Sequence, residues 1–316
     1  MQAVMYDRFG DESVLSLREV PAPQPARGEV QVRVRIASLN PVDFKLRSGI
    51  LRALGRPKRP AVTGKDFAGT VAALGPGARG HKVGQRVFGS VAPLGGRGSC
   101  AQFVALSTDL ITSTPDALSD EVAASLPVAS GTALQALCDI AQLRPGQRIL
   151  ITGASGAVGA SVVQLARSIG ARVTGVCGGA NVDYVRSIGA DEVIDYKTEN
   201  WQERHDRFDV IFDAAAAATF SNAKPHLNAN GIYINTIPGP KLYLDAIVAR
   251  LLSGQRCVPF LLKTNAALLA RLAELSANKV IVPLIHKVVR LDQVAAAQRR
   301  MQEGKVHGKV CVRVDA

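Results

Sequence analysis

The most informative segment of this 316-residue chain is Arg148-Ile-Leu-Ile-Thr-Gly-Ala-Ser-Gly-Ala-Val-Gly159. Its opening apolar run predicts a buried strand, and the apolar pattern that continues through Leu165 and Ala166 predicts a helix. Between them lies a glycine-rich turn with the spacing GxGxxG, except that Ala154 replaces the first glycine and Gly153 supplies the tight turn. A strand, this turn and a helix in direct succession predict a dinucleotide-binding site.

Each small residue of the turn suits the binding of a pyrophosphate. Gly156 allows the backbone to approach the anion closely, and Gly159 allows the helix to pack against the strand. Free N–H groups at the start of the helix face the anion at the positive end of the helix dipole. The predicted contacts with the dinucleotide therefore come from one short segment: Gly153, Ser155, Gly156, Ala157, Val158 and Gly159.

The type of dinucleotide depends on the end of the second strand, about 20 residues further on, where an acidic residue binds the ribose hydroxyls of NAD. Here the chain reads Val176-Cys-Gly-Gly-Ala-Asn181, which contains no carboxylate. NADPH is favoured by elimination, but NADH is also compatible because the segment has no Arg or Lys for a 2′-phosphate. This region is either a surface loop without a ligand or the site of contacts from Cys177, Gly178, Asn181, Tyr196 and Lys197.

Two domains of different architecture are predicted, which together make an α/β protein. Up to residue 120, short β-like runs separated by Gly and Pro predict a compact, mostly β, barrel-like domain. Strands and helices then alternate, which predicts a doubly wound parallel sheet with strands at 148–152, 172–177, 192–194, 209–213, 231–235 and 257–262. The chain ends in two helices and a strand at 309–314, and these elements are predicted to return to the first domain. The predicted domains are therefore 1–121 with 264–316, and 122–263.

Composition excludes several classes of protein. The longest apolar runs are far shorter than the roughly 18 residues of a membrane span, so no membrane association is predicted. The N-terminus has the pattern of neither a secretion signal nor a transit peptide, which predicts a cytoplasmic protein. The five cysteines are widely spaced and odd in number, which predicts reduced thiols rather than disulfides or a CxxC metal site.

The formal net charge of +12 includes a basic stretch between Lys45 and Lys65 that holds seven Lys and Arg residues. Single-strand nucleic-acid sites combine such charge with stacking aromatic rings, and only Phe44 and Phe67 border this stretch. No nucleic-acid partner is therefore predicted. The stretch is either a solvated basic loop or a mouth that attracts an anionic cofactor or substrate.

Four further segments carry a resemblance to a known family: Asn40-Pro-Val-Asp-Phe-Lys45, Gly64-Lys-Asp-Phe-Ala-Gly-Thr-Val71, Leu126-Pro-Val-Ala-Ser-Gly-Thr-Ala133 and Ile188-Gly-Ala-Asp-Glu-Val-Ile-Asp-Tyr196. In this order, the chain resembles the zinc-free medium-chain dehydrogenases/reductases, in the branch of the zeta-crystallin-like quinone oxidoreductases and enone reductases. The resemblance implies a GroES-like catalytic domain made from both termini, an inserted Rossmann domain and a homodimer.

Zinc-dependent members of this superfamily carry a cysteine early in the chain and a histidine–glutamate pair about 25 residues later, which are ligands that zinc prefers. Here those places hold Asn40 and Gly64-Lys65-Asp66, and residues 88–103 contain only Cys100. No metal is therefore expected. Without a Lewis acid, oxidation of an alcohol loses its main support, whereas reduction of a quinone or of the C=C bond of an enone stays accessible.

The predicted reaction is hydride transfer from NADPH to a quinone or to the β-carbon of an α,β-unsaturated carbonyl compound. A cation or hydrogen-bond donor would stabilise the negative charge that develops on the carbonyl oxygen. By resemblance to plant-type enone reductases, the catalytic candidates are Lys45 and Asn40, and the cofactor contacts in addition to the glycine turn are Asn40, Thr132, Ile237, Phe260 and Lys309. Asp43 fits either a general acid or a capping residue.

Two alternative functions stay open. A trans-acting enoyl reductase would act on carrier-bound acyl chains, and the basic stretch would then dock an acidic carrier protein, which predicts a salt-sensitive rate. A nucleotide-binding protein with a structural or RNA-binding role would bind the cofactor without turnover.

Overall fold

The computed structural model describes residues 1–52, 58–92, 96–237, 239–252 and 254–314. The chain divides into two compact units: unit 1 comprises Met1–Gly131 and Thr264–Ala316, and unit 2 comprises Thr132–Lys263. The first division lies at residue 131 rather than at residue 121, because the helix Asp120–Ser125 packs on strands of unit 1.

The strands, in chain order, are β1 (Gln2–Tyr6), β2 (Ser16–Glu19), β3 (Glu29–Leu39), β4 (Ala61–Val62), β5 (Asp66–Leu74), β6 (Arg86–Ser90), β7 (Phe103–Ser107), β8 (Ile111–Ser113), β9 (Arg148–Thr152), β10 (Arg172–Cys177), β11 (Glu192–Asp195), β12 (Phe208–Asp213), β13 (Leu227–Asn235), β14 (Arg256–Pro259), β15 (Ile285–Arg290) and β16 (Lys309–Arg313). The α-helices are α1 (Pro41–Ser48), α2 (Asp120–Ser125), α3 (Pro127–Leu134), α4 (Ala157–Ile169), α5 (Val182–Ser187), α6 (Phe220–Ala223), α7 (Pro240–Leu252), α8 (Ala266–Ala277) and α9 (Val294–Gln302).

Unit 1 is built on a seven-stranded sheet in the order β15-β16-β3-β5-β6-β8, with β7 also paired to β3. A three-stranded sheet in the order β2-β1-β4 accompanies it. The valines of β3 at residues 30, 32 and 34 are buried, and they pack in one core with Phe67 of β5 and Val312 of β16. The mostly β domain predicted from the sequence is confirmed.

Unit 2 contains a six-stranded parallel sheet in the order β11-β10-β9-β12-β13-β14. The apolar run at residues 149–151 of β9 has no exposed surface, as expected for a central strand that is covered on both faces. The order reverses between β9 and β12, and ligands of doubly wound sheets bind at such a switch point, outside the carboxyl ends of the strands. The predicted Rossmann sheet is confirmed.

The predicted strand boundaries agree best in the centre of this sheet. The ranges 148–152 and 172–177 coincide with β9 and β10. The strand predicted at 257–262 is shorter in the structure, where β14 ends at Pro259. The nitrogen of this proline has no hydrogen to donate to a further ladder bond. In the part of the chain that the structure describes, no helix is long and apolar enough to cross a bilayer.

Candidate functional site

The glycine turn of unit 2 lies at the switch point of the sheet, between β9 and α4. Gly153 has a backbone φ of +64°, a left-handed conformation that favours glycine. A Cβ at residue 159 would lie 2.8 Å from Ala154 Cα and would also overlap the Gly153 carbonyl oxygen. Gly159 therefore allows α4 to begin this close to the turn, which is the role that the fingerprint predicts.

The amino end of α4 forms a cradle that suits an anion. Gly156 is the N-cap and brings no side chain to cap the helix, and a Cβ there would meet only the Gly153 carbonyl oxygen, at 3.3 Å. Ser155 is half-buried in the turn. The helix presents at this end the backbone N–H groups of its first three residues, Ala157, Val158 and Gly159. With the helix dipole, these groups fit the pyrophosphate of a dinucleotide.

A buried polar network joins the carboxyl ends of β9, β12 and β13. Asp213 has no exposed surface, and its carboxylate accepts hydrogen bonds from Thr152 Oγ1 at 2.5 Å and from the Tyr233 hydroxyl at 2.9 Å. It also accepts the backbone N–H groups of Ala217 and Ala218, both at 3.0 Å, which fixes the loop after β12. This network was not among the sequence predictions, although Thr152 and Asp213 each end an apolar strand.

Two residues that were predicted to contact the nicotinamide follow β13 and β14. Ile237 is half-buried, and its backbone N–H donates to Asn235 Oδ1 at 2.7 Å. Phe260 is buried, and its backbone N–H donates to the carbonyl oxygen of Asn235 at 3.0 Å. Asn235 thus holds both residues at the carboxyl edge of the sheet, the edge that also carries the glycine turn. Thr132 is buried in α3.

Four of the predicted contacts lie at the ends of β10 and β11 or in the turn after β10. Cys177 ends β10 and is buried; burial and the charge of Asp195 raise the pKa of its thiol to about 11, so the thiol stays protonated. Gly178 follows, and its carbonyl oxygen accepts the backbone N–H of the half-buried Asn181 at 2.8 Å. Tyr196 is exposed, and its hydroxyl lies 3.3 Å from the position that a Cβ at Gly178 would take.

In unit 1, Asn40 and Lys309 form a direct hydrogen bond in the interior. Lys309 Nζ donates to Asn40 Oδ1 at 2.6 Å and lies 3.5 Å from Asp66 Oδ2. Asn40 Nδ2 donates to Asp66 Oδ2 at 2.9 Å and to the carbonyl oxygen of Ser38 at 3.3 Å. Each of the two residues is only 2% exposed. The structure gives them a role in fixing the start of α1, and their contacts with the cofactor stay predictions.

Lys45, the predicted catalytic cation, lies on α1. Its side chain is half-buried, and burial lowers the pKa of its ammonium group. None of the residues that the structure describes brings a carboxylate or carbonyl oxygen within hydrogen-bonding distance of its Nζ.

Buried ionisable groups lie in the two segments that differ from the motifs of zinc-dependent members: Asp43 follows Asn40, and Lys65 lies between Gly64 and Asp66. Asp43 caps α1, because its Oδ2 accepts the backbone N–H of Asn40 at 2.7 Å. Burial raises the pKa of Asp43 to about 7, against the opposing charge of Lys65. Burial lowers the pKa of Lys65, whose Nζ donates to the carbonyl oxygen of Ala92 at 3.2 Å. Among residues 1–52, 58–92, 96–237, 239–252 and 254–314, no cluster of His, Cys, Asp and Glu is arranged to hold a metal ion.

The basic stretch between Lys45 and Lys65 is not a single charged surface. Arg47 has no exposed surface, and its Nε donates to Gln298 Oε1 at 2.9 Å. Lys65 is buried as well. Arg56 lies outside the described residues. Two of the seven basic side chains are therefore structural and not free to attract an anion.

Comparison with known proteins identifies the family. Residues 26–116 match a family model described as the alcohol dehydrogenase GroES-like domain, and residues 188–312 match one described as zinc-binding dehydrogenase. The chloroplast envelope quinone oxidoreductase homolog of Arabidopsis thaliana is 34% identical over 99% of this chain and 98% of its own length. The chloroplastic NADPH-dependent alkenal/one oxidoreductase of the same plant is 35% identical over 68% of this chain and 57% of its own length.

A solved structure agrees with these relatives. The quinone oxidoreductase from Coxiella burnetii matches this protein with a TM-score of 0.90 at 28% identity, over 99% of both chains. The architecture, the motifs and the relatives agree with the resemblance found in the sequence. The chain therefore belongs to the zinc-free quinone oxidoreductase branch of the medium-chain dehydrogenases/reductases.

Proposed function

We propose that the protein transfers a hydride from NADPH to a quinone, or to the C=C bond of an α,β-unsaturated carbonyl compound, without a metal ion. As a member of its family it is an NAD(P)H-dependent oxidoreductase. The acceptor and the preference for NADPH over NADH are the proposed part. The observation that carries the proposal is the cradle at the amino end of α4, where Gly156 leaves room for a pyrophosphate.

The nicotinamide dinucleotide supplies the hydride when it is bound, and the chain's own residues bind and orient it. The amino end of α4 would hold the pyrophosphate, and Ile237 and Phe260 would contact the nicotinamide. Asn235 holds both of these residues by hydrogen bonds, and its Nδ2 donates to the buried Asp213 at 3.3 Å. Such a fixed edge supports catalysis by orientation, because the reacting carbon must be held in a near-attack position.

Lys45 supplies the electrostatic part of the proposed mechanism. When a hydride reaches a quinone or the β-carbon of an enone, negative charge develops on the carbonyl oxygen. The Lys45 ammonium has no partner among the described residues, and it would bind this oxygen until a proton arrives from water. The names of the Arabidopsis relatives, a quinone oxidoreductase homolog and an alkenal/one oxidoreductase, support these two classes of acceptor.

We also propose a homodimer that forms through unit 2. Helix α7 packs on the edge strand β14, and it exposes a row of apolar side chains: Leu244 is 60% exposed, Ile247 is 58% exposed and Leu251 is 74% exposed. Light scattering after gel filtration tests this state. An Ile247→Glu variant is expected to elute as a monomer, whereas Val83→Glu, at an exposed valine of unit 1, leaves the dimer intact.

The cytoplasmic location stays a prediction, since the two Arabidopsis relatives are named as chloroplast proteins.

The function is tested by following the absorbance of NADPH and NADH with a panel of acceptors. The panel contains 1,4-benzoquinone, 9,10-phenanthrenequinone, an alkenal and a cyclic enone, and a secondary alcohol is offered with the oxidised cofactors. We expect consumption of NADPH with a quinone or an enone, unchanged by EDTA, and no oxidation of the alcohol. Binding of the cofactor without turnover of any acceptor would contradict the proposal.

A further inference from the structure

The turn after β10 has two successive residues without a side chain, and side chains from the end of the neighbouring strand lie in the space beside both. Residues 178 and 179 are glycines. A Cβ at Gly178 would lie 3.3 Å from the Tyr196 hydroxyl, and a Cβ at Gly179 would lie 2.5 Å from Asp195 Oδ2. The side chains at the end of β11 therefore occupy the space that the side chains of this turn would otherwise take.

The sheet fixes Asp195 at this position. β10 and β11 are parallel, and Cys177 is in register with Asp195, so the two strands end at the same level. The backbone N–H of Tyr196 donates to the Cys177 carbonyl oxygen at 3.1 Å, which extends the pairing past the end of β11. The Asp195 carbonyl oxygen accepts the N–H groups of Thr198 and Glu199, at 3.0 and 2.9 Å. The position of Asp195 is thus set by backbone bonds on both sides.

One oxygen of the Asp195 carboxylate is available. Oδ1 accepts the backbone N–H of Lys197 at 3.0 Å. Oδ2, the atom that faces Gly179, accepts no hydrogen bond from the part of the chain that the structure describes. The side chain is half-buried, so Oδ2 can still be reached by a ligand. A carboxylate oxygen without a donor at the edge of a binding site is suited to accept a hydroxyl hydrogen.

The turn after β10 occupies a position that has a defined role in dinucleotide-binding sheets. The end of the second strand faces the ribose of the adenosine half, and an acidic residue there binds the 2′-hydroxyl of NAD and repels the 2′-phosphate of NADP. From the order of the sequence alone this chain has no such acid, because Asp195 belongs to the next strand. In the fold, its carboxylate stands beside the turn where that acid would act.

We propose that Asp195 is the residue that limits the preference of this protein for NADPH: its carboxylate accepts a hydrogen bond from the 2′-hydroxyl of NADH and repels the 2′-phosphate of NADPH. The inference rests on the proposed function, since it requires a nicotinamide dinucleotide in unit 2. The basic side chain next to it, Lys197, is exposed. Gly178, Gly179, Ala180 and Asn181 bring no cation that would offset the charge of Asp195.

The test measures binding rather than turnover. Dissociation constants of NADH and NADPH are determined by titration calorimetry on the unliganded full chain and on Asp195→Asn, which keeps the shape of the side chain and an acceptor for the Lys197 N–H. The ratio Kd(NADPH)/Kd(NADH) is expected to fall about tenfold in the variant, since a like-charge repulsion and a charge-assisted hydrogen bond are both removed. Asp195→Ser is expected to change the ratio in the same direction.

Asp183→Asn provides the matched control. Asp183 lies in the first turn of α5, is fully exposed, and carries the same charge on the same unit. The ratio Kd(NADPH)/Kd(NADH) of the Asp183→Asn variant is expected to stay within about twofold of the wild-type ratio, because exposed charges are screened by solvent and salt. Adenosine 2′,5′-bisphosphate and 5′-AMP, which have no nicotinamide, are expected to show the same change in Asp195→Asn, which assigns the effect to the adenosine half.

The two possible failures can be told apart. If both dinucleotides bind the wild-type chain and Asp195→Asn leaves the ratio unchanged, the assignment of Asp195 is wrong and the proposed function is untouched. If neither dinucleotide binds the wild-type chain, the proposed function fails and the assignment fails with it. An equal change in Asp183→Asn would also overturn the assignment, since the effect would then be one of general charge.

Discussion

Lys309 Nζ donates a hydrogen bond to Asn40 Oδ1 at 2.6 Å, although 269 positions of sequence separate the two residues. This bond ties β16, near the end of the chain, to the start of α1. Both residues also approach Asp66 in the interior of unit 1: Asp66 Oδ2 accepts a hydrogen bond from Asn40 Nδ2 and lies 3.5 Å from Lys309 Nζ, whereas Asp66 Oδ1 has no partner among the described residues. Burial of a charge is tolerated only with such partners.

Removal of the Lys309 ammonium is expected to destabilise the protein strongly. Lys309→Met would leave Asp66 as a buried charge without its cation, and the free energy of unfolding is expected to fall by about 3 to 5 kcal/mol. Urea denaturation measures this change. Lys305→Met, which breaks an exposed ion pair with Glu303, is expected to change the free energy of unfolding far less, because solvent screens such a pair. Equal losses of unfolding free energy in the two variants would show that the buried network contributes no more to stability than the exposed ion pair does.

The two glycines of the turn are expected to respond differently to substitution. Gly159→Ala places a Cβ against the backbone of residues 153 and 154, and it is expected to lower the free energy of unfolding by about 1 to 3 kcal/mol. Gly156→Ala meets only one oxygen, at 3.3 Å, so stability is expected to change by less than about 1 kcal/mol. Its methyl group would nevertheless stand in the pyrophosphate cradle, and the cofactor Kd is expected to rise about tenfold or more.

Calorimetric titration and urea denaturation of the same two variants separate these effects. Unchanged cofactor affinity in Gly156→Ala would contradict the placement of the pyrophosphate at the amino end of α4.

The proposed role of Lys45 predicts a loss of rate without a loss of fold. Lys45→Met removes the cation that would stabilise the developing oxyanion, and kcat with a quinone or an enone is expected to fall about 100-fold. The cofactor Kd and the urea midpoint are expected to stay near their wild-type values, because the ammonium has no partner among the described residues. Lys58→Met, at an exposed lysine, serves as the control. Full activity of Lys45→Met would remove Lys45 from the mechanism.

The raised pKa of Asp43 predicts that the free energy of unfolding depends on pH. Burial raises its pKa from 3.8 to about 7, so the folded state binds a proton that the unfolded state has lost in this range. The contribution of this group to stability is therefore full below about pH 4 and is lost as the pH rises through about 7. Asp43→Asn cannot ionise but keeps an acceptor for the Asn40 N–H. The stability of the variant relative to wild type is expected to increase between pH 5 and pH 8.

Urea denaturation at several pH values in this range measures the difference. A difference that stays constant with pH would show that Asp43 does not titrate across it.

The sequence predicted most reliably the strands and turns that depend on a local pattern of residues. The strands at 148–152 and 172–177 were predicted to the residue, because a buried central strand is a continuous apolar run that ends at a glycine turn. The glycine turn itself could be assigned since its spacing reports a local backbone geometry. The family motifs added the GroES-like domain, which short β-like runs alone describe only as mostly β.

What the sequence could not show depends on contacts between distant segments. Asp195 is near the turn after β10 only because β11 pairs with β10. A sequence pattern that places this acid at the end of the second strand therefore does not indicate Asp195. Arg47 and Lys65 were counted as surface charges, but the fold buries both. The Asp213 network requires three strands to meet at one edge, which a linear pattern does not reveal.

Direct hydride transfer to an activated acceptor is tested with NADPH that carries deuterium at the transferred position of the nicotinamide. The protein is incubated with this cofactor and a cyclic enone, and the product is analysed by NMR. We predict one deuterium at the β-carbon of the saturated ketone, together with oxidation of an equal amount of cofactor. A reduced product without deuterium at this carbon would contradict direct transfer, and the absence of any product with enones and quinones alike would contradict the proposed function.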